Sequence, residues 1–211
     1  MGLDYSFFLV FPKEHLWDAL DGVVALAETD LGETVIHFPD GDRIIPLSCW
    51  GYNKTAFRHD DPQLSFNISL RFPEDEALLE YVRERDGADD WRAPPDPDTE
   101  TTLSIGYIYL YIYADLRAFS KRFPDQGLVA MNFVSAGTTM SLLFDESTAM
   151  RNTFIDLLER HDGVYGVLNR ELEADLFWWR GETVDISIGS IYIPPDEVDA
   201  TVKRIQAGGS W

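Results

Sequence analysis

The order of apolar runs predicts an α+β domain. It would have a mostly antiparallel or mixed sheet with helices on one face, built from two or three repeated strand-helix-strand(-strand) units in a ferredoxin-like or strand-helix-strand-strand order. Three observations predict it. A run containing Leu-x-Phe leads into a helical stripe three times, at Leu9-Val10-Phe11, Leu70-Arg71-Phe72 and Leu142-Leu143-Phe144. Ser104-Ile105-Gly106-Tyr107-Ile108-Tyr109 returns as Ser187-Ile188-Gly189-Ser190-Ile191-Tyr192, with Leu47-Ser48-Cys49 as a degenerate third copy. Each of the two better copies is followed by a short helix carrying a basic pair, Lys121-Arg122 or Lys203-Arg204, which complements a helix C-terminus.

Taken in order, residues 5–11 read as a core strand, and Pro12 opens a helix carrying Leu16, Leu20, Val23 and Ala27 on one stripe. Asp40-Gly41 between the apolar runs 34–38 and 43–47 predicts a hairpin. The second unit repeats strand and helix, with Leu78, Tyr81 and Val82 as its stripe; residues 86–100, with six acids and three prolines, read as a surface loop. Residues 102–113 form a long strand. Residues 128–135 read as another strand, paired with 138–144 across Ala136-Gly137; a helix with Met150, Phe154, Leu157 and His161 follows. Arg180-Gly181-Glu182 turns the last hairpin, between 176–179 and 183–188. No long linker separates the units, so residues 1–211 form one pseudo-symmetric domain, with a subdivision into 1–125 and 126–211 as the alternative.

The chemistry-bearing patterns are thin. There is no nucleophile elbow, P-loop, dinucleotide-binding fingerprint, zinc-protease helix or EF-hand loop, so no catalytic residue, metal ligand or cofactor is assigned. The four histidines are scattered, and His59-Asp60-Asp61 is the nearest approach to a ligand cluster. Cys49 stands alone in a strand-like run. The aromatics say more. Strict alternation puts Tyr107, Tyr109, Tyr111 and Tyr113 on one face of their strand and Ile108, Leu110 and Ile112 on the other. Trp50, Trp178, Trp179 and Tyr192 lie near the corresponding strands and would extend that surface as a partner- or ligand-binding site. A tyrosine row forming a second core layer is the competing reading.

Composition bounds the partners. The chain has 37 acidic and 17 basic residues, a formal charge of -20 spread evenly along its length. That field repels phosphate backbones and anionic lipids, so neither nucleic acid nor a membrane is expected. A single cysteine suits a reducing cytoplasm. The strand-helix-strand-strand order resembles the module of small-ligand-sensing domains of the GyrI-like type, and size and charge are similar to those of acidic bacterial immunity or inhibitor proteins. The first resemblance implies an aromatic-lined cleft between two copies of the unit; neither carries over any residue. The expectation is a non-enzymatic module that binds a protein partner with a basic surface. The alternatives are a small-molecule binder for an apolar or aromatic ligand, walled by Tyr107, Tyr109, Trp178 and Trp179, and an enzyme whose site assembles only in three dimensions. The oligomeric state is left open.

Overall fold

The structure, a computed structural model, describes residues 2–28, 32–50, 56–86, 101–123, 127–191 and 193–207. Strand β1 (Ser6–Pro12) passes through a short 3₁₀ turn into α1 (Leu16–Leu26). The hairpin β2 (Thr34–Phe38) and β3 (Gly41–Ile45) follows, then β4 (Ser48–Cys49), β5 (Ala56–Arg58), β6 (Gln63–Pro73) and α2 (Glu76–Asp86). Next come β7 (Thr102–Tyr113), the single turn α3 (Leu116–Phe119), β8 (Leu128–Val134), α4 (Thr138–Glu146) and α5 (Thr148–Arg160). The chain closes with β9 (Tyr165–Asn169), β10 (Ala174–Trp179), β11 (Glu182–Ser187) and α6 (Pro195–Gln206). The loop expected over 86–100 lies, beyond Asp86, outside the described residues.

Eight strands form one antiparallel sheet in the order β11-β10-β9-β1-β8-β7-β6-β4; β3, β2 and β5 make a small mixed sheet beside it. The N-terminal strand is central. Phe8 of β1 lies opposite Asn132 of β8 on one side and Val167 of β9 on the other. The sheet thus runs without a break across residue 125, with β1 flanked by strands of the C-terminal half.

Burial follows the pleat. Phe7, Leu9 and Phe11 point to one face, where they meet the apolar stripes of α1, α2, α4 and α5 and the small sheet. Phe7 sits among Phe144, Phe154 and Phe177 with ring centres 5.2, 4.6 and 5.7 Å away. Phe8 and Val10 point the other way and are covered by α3, the turn that follows it and α6, through Leu116, Phe123, Val198 and Val202. Helices therefore cover both faces, not one. The reason is that β1, β9 and β10 are apolar on both sides, and such strands need cover on both.

Two expected repeats differ from the structure. Residues 138–144 are helix, with Met140, Ser141, Leu143 and Phe144 buried at helical spacing. The Ser135 amide bonds the Tyr5 carbonyl, so β8 stays with β1 to its end and leaves no partner role for 138–144. Leu9-Val10-Phe11 and Leu70-Arg71-Phe72 are strand, whereas Leu142-Leu143-Phe144 is not. The second Ser-Ile-Gly copy leaves the sheet at Ser187, where the Ile188 amide turns to the Ala174 carbonyl and Gly189 takes φ 66°. The Asp-Gly hairpin and the last hairpin form, each through a two-residue loop, and the last one places Arg180 and Gly181 at φ 45° and 91°.

Candidate binding surface

Strand β7 carries the tyrosines, and its register with β6 is broken once. Ile68 faces Ile108 while Leu70 faces Ile105, so β7 holds one residue more than β6 between these pairs. The surplus falls at Gly106-Tyr107, and Tyr107 absorbs it with φ 64°. Ile105 and Ile108 thereby both stay in the core. Tyr107 departs from the alternation that would have lined it up with the other three tyrosines. It is 61% exposed. With Tyr81 and Tyr109 it borders a hollow of about 410 Å³ whose far wall is Gly137 and Thr138 at the start of α4.

Tyr109, Tyr111 and Tyr113 share the face that bears Phe8 and Val10, as their cross-strand partners Val134, Asn132 and Ala130 show. Their surroundings differ. Tyr113 packs on Phe119 of α3 at 4.9 Å, and Phe119 stacks on Phe8 at 4.7 Å, so Tyr113 ends the covered core. Tyr109 and Tyr111 are half-buried and carry no helix above them among the described residues. Trp50 leans on both, its ring 5.5 and 5.9 Å from theirs in edge-on geometry, and is itself 44% exposed. Its backbone is tied to β6 by the Trp50 amide donating to the Ser65 carbonyl at 2.9 Å and the Ser65 hydroxyl donating to the Trp50 carbonyl. Ser65 and Asn67 of β6 face the same side, opposite Tyr111 and Tyr109. Burial, reinforced by Tyr109 alongside, pushes the Tyr111 phenol above its ordinary pKa, so it remains a neutral hydroxyl.

The aromatic pattern does not include Asn132, which β8 brings to the same surface. It sits between Tyr111 and Phe8, 8% exposed, and its Oδ1 has no hydrogen-bond partner among the described residues. The signal for it was a lone amide inside the apolar run Leu128-Val129-Ala130-Met131-Asn132-Phe133-Val134. An orphaned buried carbonyl costs about 1–3 kcal/mol and calls for a reason.

The other aromatic candidates lie elsewhere. Trp178 is in the core on the α5 side, its indole N–H donating to the Gly163 carbonyl at 3.1 Å. Trp179 is in the opposite core beside Tyr165, with the Arg180 guanidinium 4.9 Å above its ring. Both are nearly fully buried, and β9, β1 and β8 separate them from β7. A cleft walled by Tyr107, Tyr109, Trp178 and Trp179 is therefore not formed. Tyr192 lies outside the described residues.

No protein-family model, curated protein or solved structure matches this chain. Among the described residues no three His, Cys, Asp or Glu side chains are arranged to hold a metal ion, and no helix is long and apolar enough to cross a membrane. The His59-Asp60-Asp61 segment is organised internally. Arg58 pairs with Asp60, the Asp61 carboxylate accepts from the Arg58 amide, and the His59 ring stacks on Phe38. His37 bonds Asp42 across its hairpin. At the α1–α5 junction burial lowers the His161 pKa, with His15 and Arg160 adding to the effect and Asp18 and Asp162 opposing it.

Proposed function

We propose that this protein is a non-enzymatic binding module whose working surface is the open half of the sheet, Trp50, Tyr107, Tyr109 and Tyr111, and that its partner is a protein with a basic surface. The observation that carries this reading is the Trp50–Tyr109–Tyr111 cluster, anchored by its backbone and yet partly exposed. Rigid amphipathic rings provide contact area at small entropic cost, the role such side chains play at interface hot spots. The formal charge of -20 supplies the steering. A single cysteine makes the cytoplasm the expected setting. We further read β1–α1 and β6–α2 as copies of one unit, supported by the shared Leu-x-Phe strands.

The test is affinity capture from lysate at low and at high ionic strength, with the native chain and with Trp50→Ala. A partner recovered at low salt, lost at high salt and lost with Trp50→Ala supports the reading. Recovery of no specific partner under either condition, or capture indifferent to Trp50, would sink it.

A further inference from the structure

We propose that the aromatic cluster receives an arginine side chain of the partner, its guanidinium lying against Trp50, Tyr109 and Tyr111 and donating an N–H to Asn132 Oδ1. The inference rests on the binding-surface reading and adds the chemistry of the anchor. Three independent features converge on it. The exposed ring of Trp50 and the half-buried rings of Tyr109 and Tyr111 present π faces and edges within one patch, the setting in which a cation is attracted to aromatic rings. Asn132, directly opposite Tyr111 on β8, offers a carbonyl oxygen with no partner, so the occupant must bring a donor. The charge of -20 selects a cation over an anion.

Arginine meets all three demands better than lysine. A planar, weakly hydrated guanidinium can stack on a ring and still direct an N–H sideways, whereas an ammonium is compact and strongly hydrated. Asn132 Oδ1 is buried, so seating the guanidinium requires neighbouring side chains, Tyr111 opposite it in register among them, to move aside. Tyr111 is half-buried, on the open side of the sheet, and its rotation breaks no hydrogen bond found among the described residues.

The experiment titrates the full chain with four capped tripeptides, Ac-Gly-X-Gly-NH₂, where X is arginine, lysine, citrulline or norleucine. Binding is followed by the indole N–H resonance of Trp50, assigned with Trp50→Phe. The arginine peptide should bind about tenfold more tightly than citrulline, which keeps the planar shape and part of the N–H donor set but not the charge, and about threefold more tightly than lysine. Asn132→Leu should weaken arginine binding at least about fivefold and lysine binding less. Because Asn132 is buried, Tyr109→Leu serves as a second variant and should also weaken the arginine peptide. Equal binding of arginine and citrulline, tighter binding of lysine or norleucine, or no saturable shift with any peptide overturns the proposal. If the peptides fail while Trp50-dependent capture of a basic protein persists, only the arginine anchor falls; if capture fails as well, the binding surface falls with it.

Discussion

Tyr107 holds a left-handed backbone that costs a residue with a Cβ roughly 1–2 kcal/mol, and it does so in a strand, with its ring in solvent. Tyr107→Gly should therefore leave unfolding stability in urea unchanged or raised by up to about 1 kcal/mol, while weakening partner capture; a loss above that size would mean the ring is structural. Asp75 works in the opposite direction. Its carboxylate accepts from the Leu78 amide at 2.8 Å, the Ser147 hydroxyl at 2.8 Å and the Ala149 amide at 2.9 Å, joining the first turns of α2 and α5. Partial burial disfavours its charge, but the Ala149 and Leu78 amides with the Ser147 and Thr148 hydroxyls outweigh that and hold the carboxyl below its usual pKa. The stability it supplies is thus complete above the unfolded carboxyl's pKa of about 4 and lost as pH falls through the lower folded value. Asp75→Ala should cost about 2 kcal/mol at neutral pH, and the difference from the native chain should shrink on acidification. Neither role was legible in the chain. The position of a bulge depends on register with a second strand, and a carboxylate shared by two helices 72 residues apart leaves no local pattern.

Elements were read best where the period was long. The stripes of α1, α2 and α5 and the Asp-Gly hairpin carry several agreeing signals and form where the sequence puts them, except that Ala27 lies past the end of α1, bridging Leu70, and His161 past the end of α5. Residues 138–144 are helix where the pattern predicts strand, because a short apolar run has the same composition in a buried strand and a buried helix. The tyrosine alternation was visible from Tyr109 to Tyr113, but which part of it α3 covers was not, since α3 is a single turn placed by Phe119 meeting Phe8 and Tyr113. Close approach between elements gives its own prediction. A Cβ on Gly166 of β9 would lie 2.6 Å from Leu158 Cδ1 and 2.7 Å from Phe177 Cζ, wedging α5 off the sheet. Gly166→Ala should cost about 1–3 kcal/mol. A melting temperature within a degree of the native value would show that α5 can yield.

For the molecule as a whole, the charge was legible and so was the class of fold; the strand order was not, because β1 finds its neighbours more than a hundred residues away. That order makes a cut at residue 125 destructive. Fragments 1–125 and 126–211 expressed separately should each fail to show a cooperative melt, since β8 and β9 lose the strand between them, and mixing them should restore it. Added salt should raise the stability of the intact chain by screening its self-repulsion; a melting temperature independent of salt would argue that the unpaired acids lie too far apart to repel one another. The central place of β1 also orders events in time. Phe7-Phe8-Leu9-Val10-Phe11 is synthesised before both strands that flank it, which follow by more than a hundred residues, so this apolar strand waits long for its partners. Refolding should be slow, in the millisecond-to-second range of sheets closed by distant contacts, and the nascent β1 segment is where a chaperone would find its grip.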